Sequence, residues 1–373
     1  MPLFDLEKSR NRTSPMRHGE KYFEFYEAKT GADFDSLREA VNSWISEFPA
    51  MEQDEIVKRL KKVSNEDFEA GIAELILYVV LKRAQYSVEV HPETPTKKKI
   101  DFKFAKGEFG AFVESTSFAP SREKIAGDNR EAQIYNSIEK ANIPDNVSFG
   151  YSVRTRGNEC PNLKTLVAAI EKWAGDNKAN SERPSRVFNA GDWEIELDIF
   201  IRSVPKQDPR NIAASIGEAR WIAGHLEIRD ALNEKKDRYG SLNAPFVIAV
   251  TDCKEEMAGG HLEELVAALF GDDAYRIVDG QLKYAGKSAN GFWGTAENPR
   301  NSHVSAVLLI PSAKIWAFRA AQWQPLLVLN PWAAHALPNG SLPLNTYWLN
   351  GSTFEMSTGN LADALGLPDP WPP

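Results

Sequence analysis

A chain of 373 residues with ten tryptophans and an ordinary balance of apolar and charged residues can bury a large α/β core as one big domain or two modest ones, which argues against a disordered or fibrous protein. The net charge of −8 excludes a protein that coats nucleic acid by bulk electrostatics, because phosphate affinity comes from clustered Lys and Arg. It does not exclude a nuclease whose carboxylates bind a metal ion first.

The first twenty residues lack the apolar core of a signal peptide, and no later apolar run is long enough to span a bilayer, so the expectation is a soluble, cytoplasmic protein without membrane contact. Cys160 and Cys253 fit a reducing compartment and have no zinc-ligand spacing. Apolar residues at helical spacing predict short helices over Asp33–Pro49 and Gln53–Val63 (Phe34, Leu37, Val41, Ile45; Ile56, Leu60, Val63). Asn65 or Asp67 caps a third helix running to about Arg83, in which Glu74 is the carboxylate of a long apolar stretch. Tyr86–Val90 alternates as a strand, and IDFKFA and GAFVEST read as two more around the turn KGEF.

A helix over about 121–142 and a strand at SFGYSVRTR complete a unit of helix, three strands, helix and strand. Beyond it the sequence predicts a helix near Leu163–Trp173, a strand at WEIELDIFIR, a basic helix at HLEIRDALNEKKDRYG, a buried strand at APFVIAVTD and a helix at HLEELVAALF. A Gly/Asn-rich loop from Asp279 to Asn301, apolar strands at SAVLLIP and KIWAF, and a loop-like tail follow. There is no internal repeat. The predicted division is an N-terminal helical arm (1–64), an α/β domain (65–335, core 65–155) and a loop-rich tail (336–373).

Pairing the hairpin symmetrically about Gly107 and Glu108 sets Asp101 across from Glu114. Cross-strand partners share a face at about 4.5–5.5 Å between Cβ atoms, and like charges there repel. A cation between them offsets the repulsion, and hard oxygen ligands suit Mg²⁺ or Mn²⁺. Phe102 and Phe104 then fall on the opposite face, as core. Glu74, beside an apolar stripe of Ile72, Leu75, Ile76 and Val79, can reach the ion directly or through water.

These residues resemble the PD-(D/E)XK, or restriction endonuclease-like, nuclease superfamily over roughly residues 65–155. Its pattern is an Asp at a strand start, then an acid, any residue and a Lys on the next strand, often with a Glu on the preceding helix. Glu69–Thr116 is similar to an uncharacterised bacterial branch, with "EL" in the helix, "HP" after the first strand, and an acid followed by a small residue and Thr. The resemblance implies a mixed sheet flanked by helices, with an N-terminal helical attachment. It assigns Asp101, Glu114 and Glu74 as metal-holding acids. Ile100 stands where the family has Pro, and Thr116 stands where it has the Lys that polarises the attacked phosphate. Lys99, across from Thr116 in the same register, can supply that ammonium, with Lys103 the next candidate.

The implied activity is metal-dependent hydrolysis of DNA phosphodiester bonds, in bacterial defence against foreign DNA by analogy. The competing reading is a catalytically inactive core kept as a nucleic-acid or protein-binding module. A homodimer, or a partner protein of a defence system, stays open. The chain has no G-x-S-x-G, phosphate loop or dinucleotide fingerprint for another chemistry. Plainer readings stand beside each residue. Asp101 and Glu114 can be exposed acids paired with Lys99 and Lys103, Glu74 a cap or salt-bridge partner, and His91 a structural histidine. Lys97–Lys99 can form a solvated loop, or contact the DNA backbone. Lys235, Lys236, Arg238 and Tyr239 can form a solvated helix face, or touch phosphate.

Overall fold

The computed structural model describes all residues apart from 1, 62–63, 180–181, 204–209, 217–222, 255–259, 279–280 and 352, with Arg122 described by its backbone. Val63 of the predicted second helix and the start of the predicted Gly/Asn-rich loop therefore lie outside the described residues. The chain begins with α1 (Tyr22–Ala28), α2 (Ala32–Glu47), α3 (Gln53–Leu60) and α4 (Asn65–Arg83), followed by β1 (Ser87–Val90), β2 (Phe102–Lys106) and β3 (Phe109–Phe118). It continues through α5 (Arg122–Glu139), β4 (Val147–Thr155), α6 (Leu163–Asp176), β5 (Ser185–Ala190), β6 (Trp193–Ile201) and β7 (Ile212–Ile216). Then come α7 (Gly224–Lys235), β8 (Phe246–Asp252), α8 (His261–Phe270), β9 (Asp273–Val278) and β10 (Gln281–Lys287). The last elements are β11 (Ala306–Ile310), β12 (Leu326–Leu329), β13 (Asn345–Asn350), β14 (Thr353–Ser357) and α9 (Leu361–Ala364). None of the described helices is long and apolar enough to cross a membrane.

Two compact units result, one from residues 1–14, 21–119 and 222–373, the other from 15–20 and 120–221. The larger is built on a mixed eight-stranded sheet in the order β1-β2-β3-β8-β11-β12-β13-β14. β1, β2 and β3 form an antiparallel meander, and β8 lies parallel to both β3 and β11. All seven residues of β8 are buried, as expected of a strand covered on both faces. Its alternate residues serve two cores: Val247 and Ala249 pack with α2, α3 and α4, while Ile248 and Val250 pack with α7 and α8.

In the smaller unit the sheet order is β5-β6-β4-β7. Trp193, Ile195, Leu197 and Ile199 alternate inward from β6 onto α5 and α6, the period-2 pattern legible in WEIELDIFI.

Several expectations change. The helix and strand expected to complete the core are α5 and β4, and they belong to the smaller unit. β3 is paired instead with β8, more than a hundred residues on. The edges of β4 are taken by β6 and β7, so it has none left for β3. The N-terminal 64 residues are not an arm, because Phe4, Leu37, Trp44 and Leu60 are buried in the same core as α4.

KIWAF is not a strand. Ile315–Ala317 forms a 3₁₀ turn, and β11 takes β12 as its antiparallel partner, an ambiguity inherent in short apolar runs. β10 lies within the expected Gly/Asn-rich loop, with a bulge between Tyr284 and Gly286 that hides its period. The tail carries β13, β14 and α9, and Leu344, Leu361 and Trp371 are core residues.

Candidate active site

The hairpin turns at Gly107, whose φ of +61° is the left-handed conformation that glycine adopts without penalty. Phe102 pairs with Val113 and Lys103 with Phe112. One step further along this register, Asp101 lies opposite Glu114. β2 begins only at Phe102, so Asp101 stands just outside the ladder, where its Oδ2 accepts the Ser115 backbone N–H at 2.6 Å. Phe102 and Phe104 are wholly buried and hold the hairpin to the α4 side of the sheet. Glu114 is only 3% exposed. Two solvated acids paired with Lys99 and Lys103 are thus not what the hairpin presents: Glu114 is a core-embedded carboxylate, and Lys103 is an exposed residue whose ammonium stands 5.9 Å from the centre of the Phe112 ring.

Glu74 comes from α4, which is capped by the Ser64 hydroxyl accepting the Asp67 N–H, and not by Asn65 or Asp67 as expected. Every residue from Gly71 to Leu81 is buried, so Glu74 sits inside a helix covered on all sides and not on the flank of an amphipathic stripe. A buried carboxylate needs a partner, and Arg59 of α3 supplies it. Its Nη1 bonds Oε2, and its Nη2 lies 3.3 Å from Oε1. The salt-bridge role foreseen for Glu74 is present. Burial lowers the Arg59 pKa, but Glu74 outweighs it and leaves the guanidinium more firmly protonated than an ordinary arginine.

The third contribution reaches Glu114 from the end of α7. Lys235 Nζ is 2.8 Å from Glu114 Oε1, and Arg238 Nη1 is 3.6 Å from the same oxygen. Tyr239 is 2% exposed. Its phenol and Glu114 Oε2 are both buried without a completed hydrogen bond among the described residues. Burial and then the adjacent Glu114 carboxylate keep the phenol protonated, with its pKa raised. The solvated-face reading of this segment is corrected for Lys235 and Tyr239. The cluster Lys-Lys-Asp-Arg-Tyr was the available signal, but its partner 121 residues away was not.

These groups share a polar cleft of about 330 Å³, lined by Arg59, Glu74, Lys99, Asp101, Glu114, Ser115, Thr116, Ser117, Lys235, Arg238 and Tyr239 among others. Burial, then the charges of Glu114 and Glu74, raise the Asp101 carboxyl from the ordinary range to about 7, offset only in part by the Ser115 N–H and Lys235. Lys99 is exposed at the rim and Thr116 is half-buried. Lys97 and Lys98 are exposed, and His91 Nδ1 stands 3.4 Å from Glu52, outside the cleft lining. Among the described residues, no group of three or more His, Cys, Asp or Glu side chains is gathered in a way that could hold a metal ion. The structure brings Asp101, Glu114, Glu74, Thr116 and Lys99 into one cleft, with two of the three acids already ion-paired.

Comparison with protein families, curated proteins and solved structures yields no match to this chain.

Proposed function

We propose that the cleft is the active site of a divalent-metal nuclease of the PD-(D/E)XK type that hydrolyses DNA phosphodiester bonds, with a place in bacterial defence by analogy. The observation that carries the reading is the convergence of Asp101 and Glu114 across the hairpin into one polar cleft, close enough for the Glu114 charge to raise the Asp101 carboxyl. Converging carboxylates, one of them buried, suit a hard cation. The element order gives further support. α4, the β1-β2-β3 meander, α7 and β8 follow the family sequence of helix, three strands, helix and strand, with residues 120–221 inserted after β3.

In this reading Asp101 and Glu114 would hold Mg²⁺ or Mn²⁺, with Glu74 acting through water because Arg59 engages both its oxygens. The bound ion would supply activated water and stabilisation of the leaving oxygen. Asp101 would hold the ion in its ionised form. The ammonium absent at Thr116 would come from Lys99 or Lys235, and Arg59 and Arg238 line the same cleft as further cations for a phosphate.

A second reading draws on the same cleft. Four cations (Arg59, Lys99, Lys235, Arg238) line it against three acids (Glu74, Asp101, Glu114), so a phosphate group can be bound without an ion, as in a catalytically silent binding module. Incubating the purified protein with plasmid, linear and single-stranded DNA, with and without Mn²⁺, separates the two. Cleavage that needs Mn²⁺ and is lost in Asp101→Asn supports the nuclease. DNA binding that is unaffected by Mn²⁺ and leaves the strands intact supports the module.

A further inference from the structure

β9 and β10 form a two-stranded sheet of their own. Tyr275 pairs with Tyr284 and Ile277 with Leu282, and side chains alternate along a strand, so these four residues share one face. They are 55%, 57%, 75% and 70% exposed, respectively. The two tyrosine rings meet edge to face at 5.8 Å, which makes the face a continuous surface. Arg276 pairs with Lys283 on the reverse side.

We propose that this ribbon is the seat of a reversible two-fold dimer, in which the Tyr275, Ile277, Leu282 and Tyr284 face packs on the same face of a second copy. The inference does not depend on the nuclease reading. An isolated two-stranded hairpin is marginal in water, and one carrying four large apolar side chains on one open face gains from being covered. Among the described residues of β9 and β10 the charges on this side are Asp273 and Lys287 at its end, which neutralise each other in an ion pair at 2.7 Å, so the face offers little handle to a polyanion, and Arg276 and Lys283 lie on the reverse side. Its natural complement is another apolar face without net charge, and a two-fold axis brings identical patches together.

Magnitude points the same way. With about 150–250 Å² for a tyrosine ring and a similar area for each aliphatic chain, the four exposed portions sum to on the order of 500 Å². Two copies therefore bury about 1,000 Å², at the lower bound for a specific interface and far below an obligate one. Edge-to-edge pairing is the less favourable arrangement, because the bulge between Tyr284 and Gly286 and a lysine-bearing strand both blunt the edge.

Sedimentation velocity of the full chain, from low to high micromolar concentration, tests this. The expected result is a concentration-dependent shift from monomer to twice the monomer mass, abolished in Ile277→Lys/Leu282→Lys at an unchanged thermal midpoint. Arg276→Glu/Lys283→Glu, on the reverse face, should dimerise like the parent. A parent that stays monomeric throughout overturns the proposal, as does a reverse-face variant that loses the dimer while the Lys variant keeps it. A monomeric parent whose Lys variant has lost DNA binding also overturns it, and assigns the ribbon to nucleic acid.

Discussion

The Lys235 ammonium lies 2.8 Å from Glu114 Oε1, and this contact ties the end of α7 to the middle of β3 within the cleft. Breaking a buried pair by removing one partner costs about 3–5 kcal/mol. Lys235 is partly exposed and Arg238 stands nearby, which reduces the expected loss for Lys235→Met to about 1–3 kcal/mol. Urea unfolding should show that loss, and Glu114→Gln added to the same chain should recover most of it. Mn²⁺ should raise the melting temperature of Lys235→Met more than that of the parent, because the ion replaces the missing ammonium. Equal shifts in the two proteins would count against Asp101 and Glu114 as ion ligands.

The raised Asp101 carboxyl makes stability depend on pH in a definite direction. Its folded-state pKa, about 7, exceeds that of the unfolded chain, so the folded protein binds the extra proton between pH 4 and 7. Stability therefore falls as pH rises through that window. Below it the penalty is absent, and above it the penalty is complete, on the order of 2–4 kcal/mol. Asp101→Asn keeps an acceptor for the Ser115 N–H and removes the charge. Its melting temperature should exceed the parent's at pH 8 and match it near pH 4. A variant less stable than the parent at pH 8 would mean that the charge is compensated in the parent.

On the proposed nuclease reading, cleavage should respond to the same proton. A metal-binding Asp101 must be ionised, and an ion lowers the pKa of its own ligand. At limiting Mn²⁺ the rate is expected to climb between about pH 6 and 8, and at saturating Mn²⁺ the rise should move to lower pH. A midpoint that ignores metal concentration would assign the titration to some other group. Asp101→Asn and Glu114→Gln should each abolish cleavage, whereas Glu74→Gln should reduce it less, since Arg59 already holds Glu74 away from direct ligation.

On the proposed nuclease reading, two lysines are candidates for the role that Thr116 would leave vacant, and they differ in what else they do. Lys99 is exposed at the rim, so Lys99→Ala should not affect stability. If it supplies the donor to the developing charge, the chemical step falls by roughly 10²–10³ with little change in DNA affinity. Thr116→Lys on that background should recover part of the rate, because Thr116 lines the same cleft. A Lys99→Ala enzyme that cleaves at the parental rate transfers the role to Lys235, whose removal would then cost rate as well as stability. Lys97→Ala and Lys98→Ala should weaken binding in a salt-dependent way and leave the chemical step alone.

The parts of this site that the sequence determines by itself are those closed by short loops. Asp101 and Glu114 face each other because a glycine turn sets the hairpin register, and a slip of one residue would expose Phe102 and Phe104 to water. The boundaries of α4 and the alternation of β6 are legible for the same reason: caps and periodicity are local signals.

Only the tertiary structure decides which distant groups meet those acids. The apolar run of β8 announces burial on both faces without naming its neighbours, so its place beside β3, after an inserted unit of about a hundred residues, could not be read from the strand itself. That pairing carries the end of α7 to Glu114, and it turns a lysine and a tyrosine that look like part of a solvated helix face into lining of the cleft. Arg59 and Glu74 meet for a comparable reason, since a carboxylate enclosed on every side of α4 requires a cation, and which cation is available depends on how α3 packs.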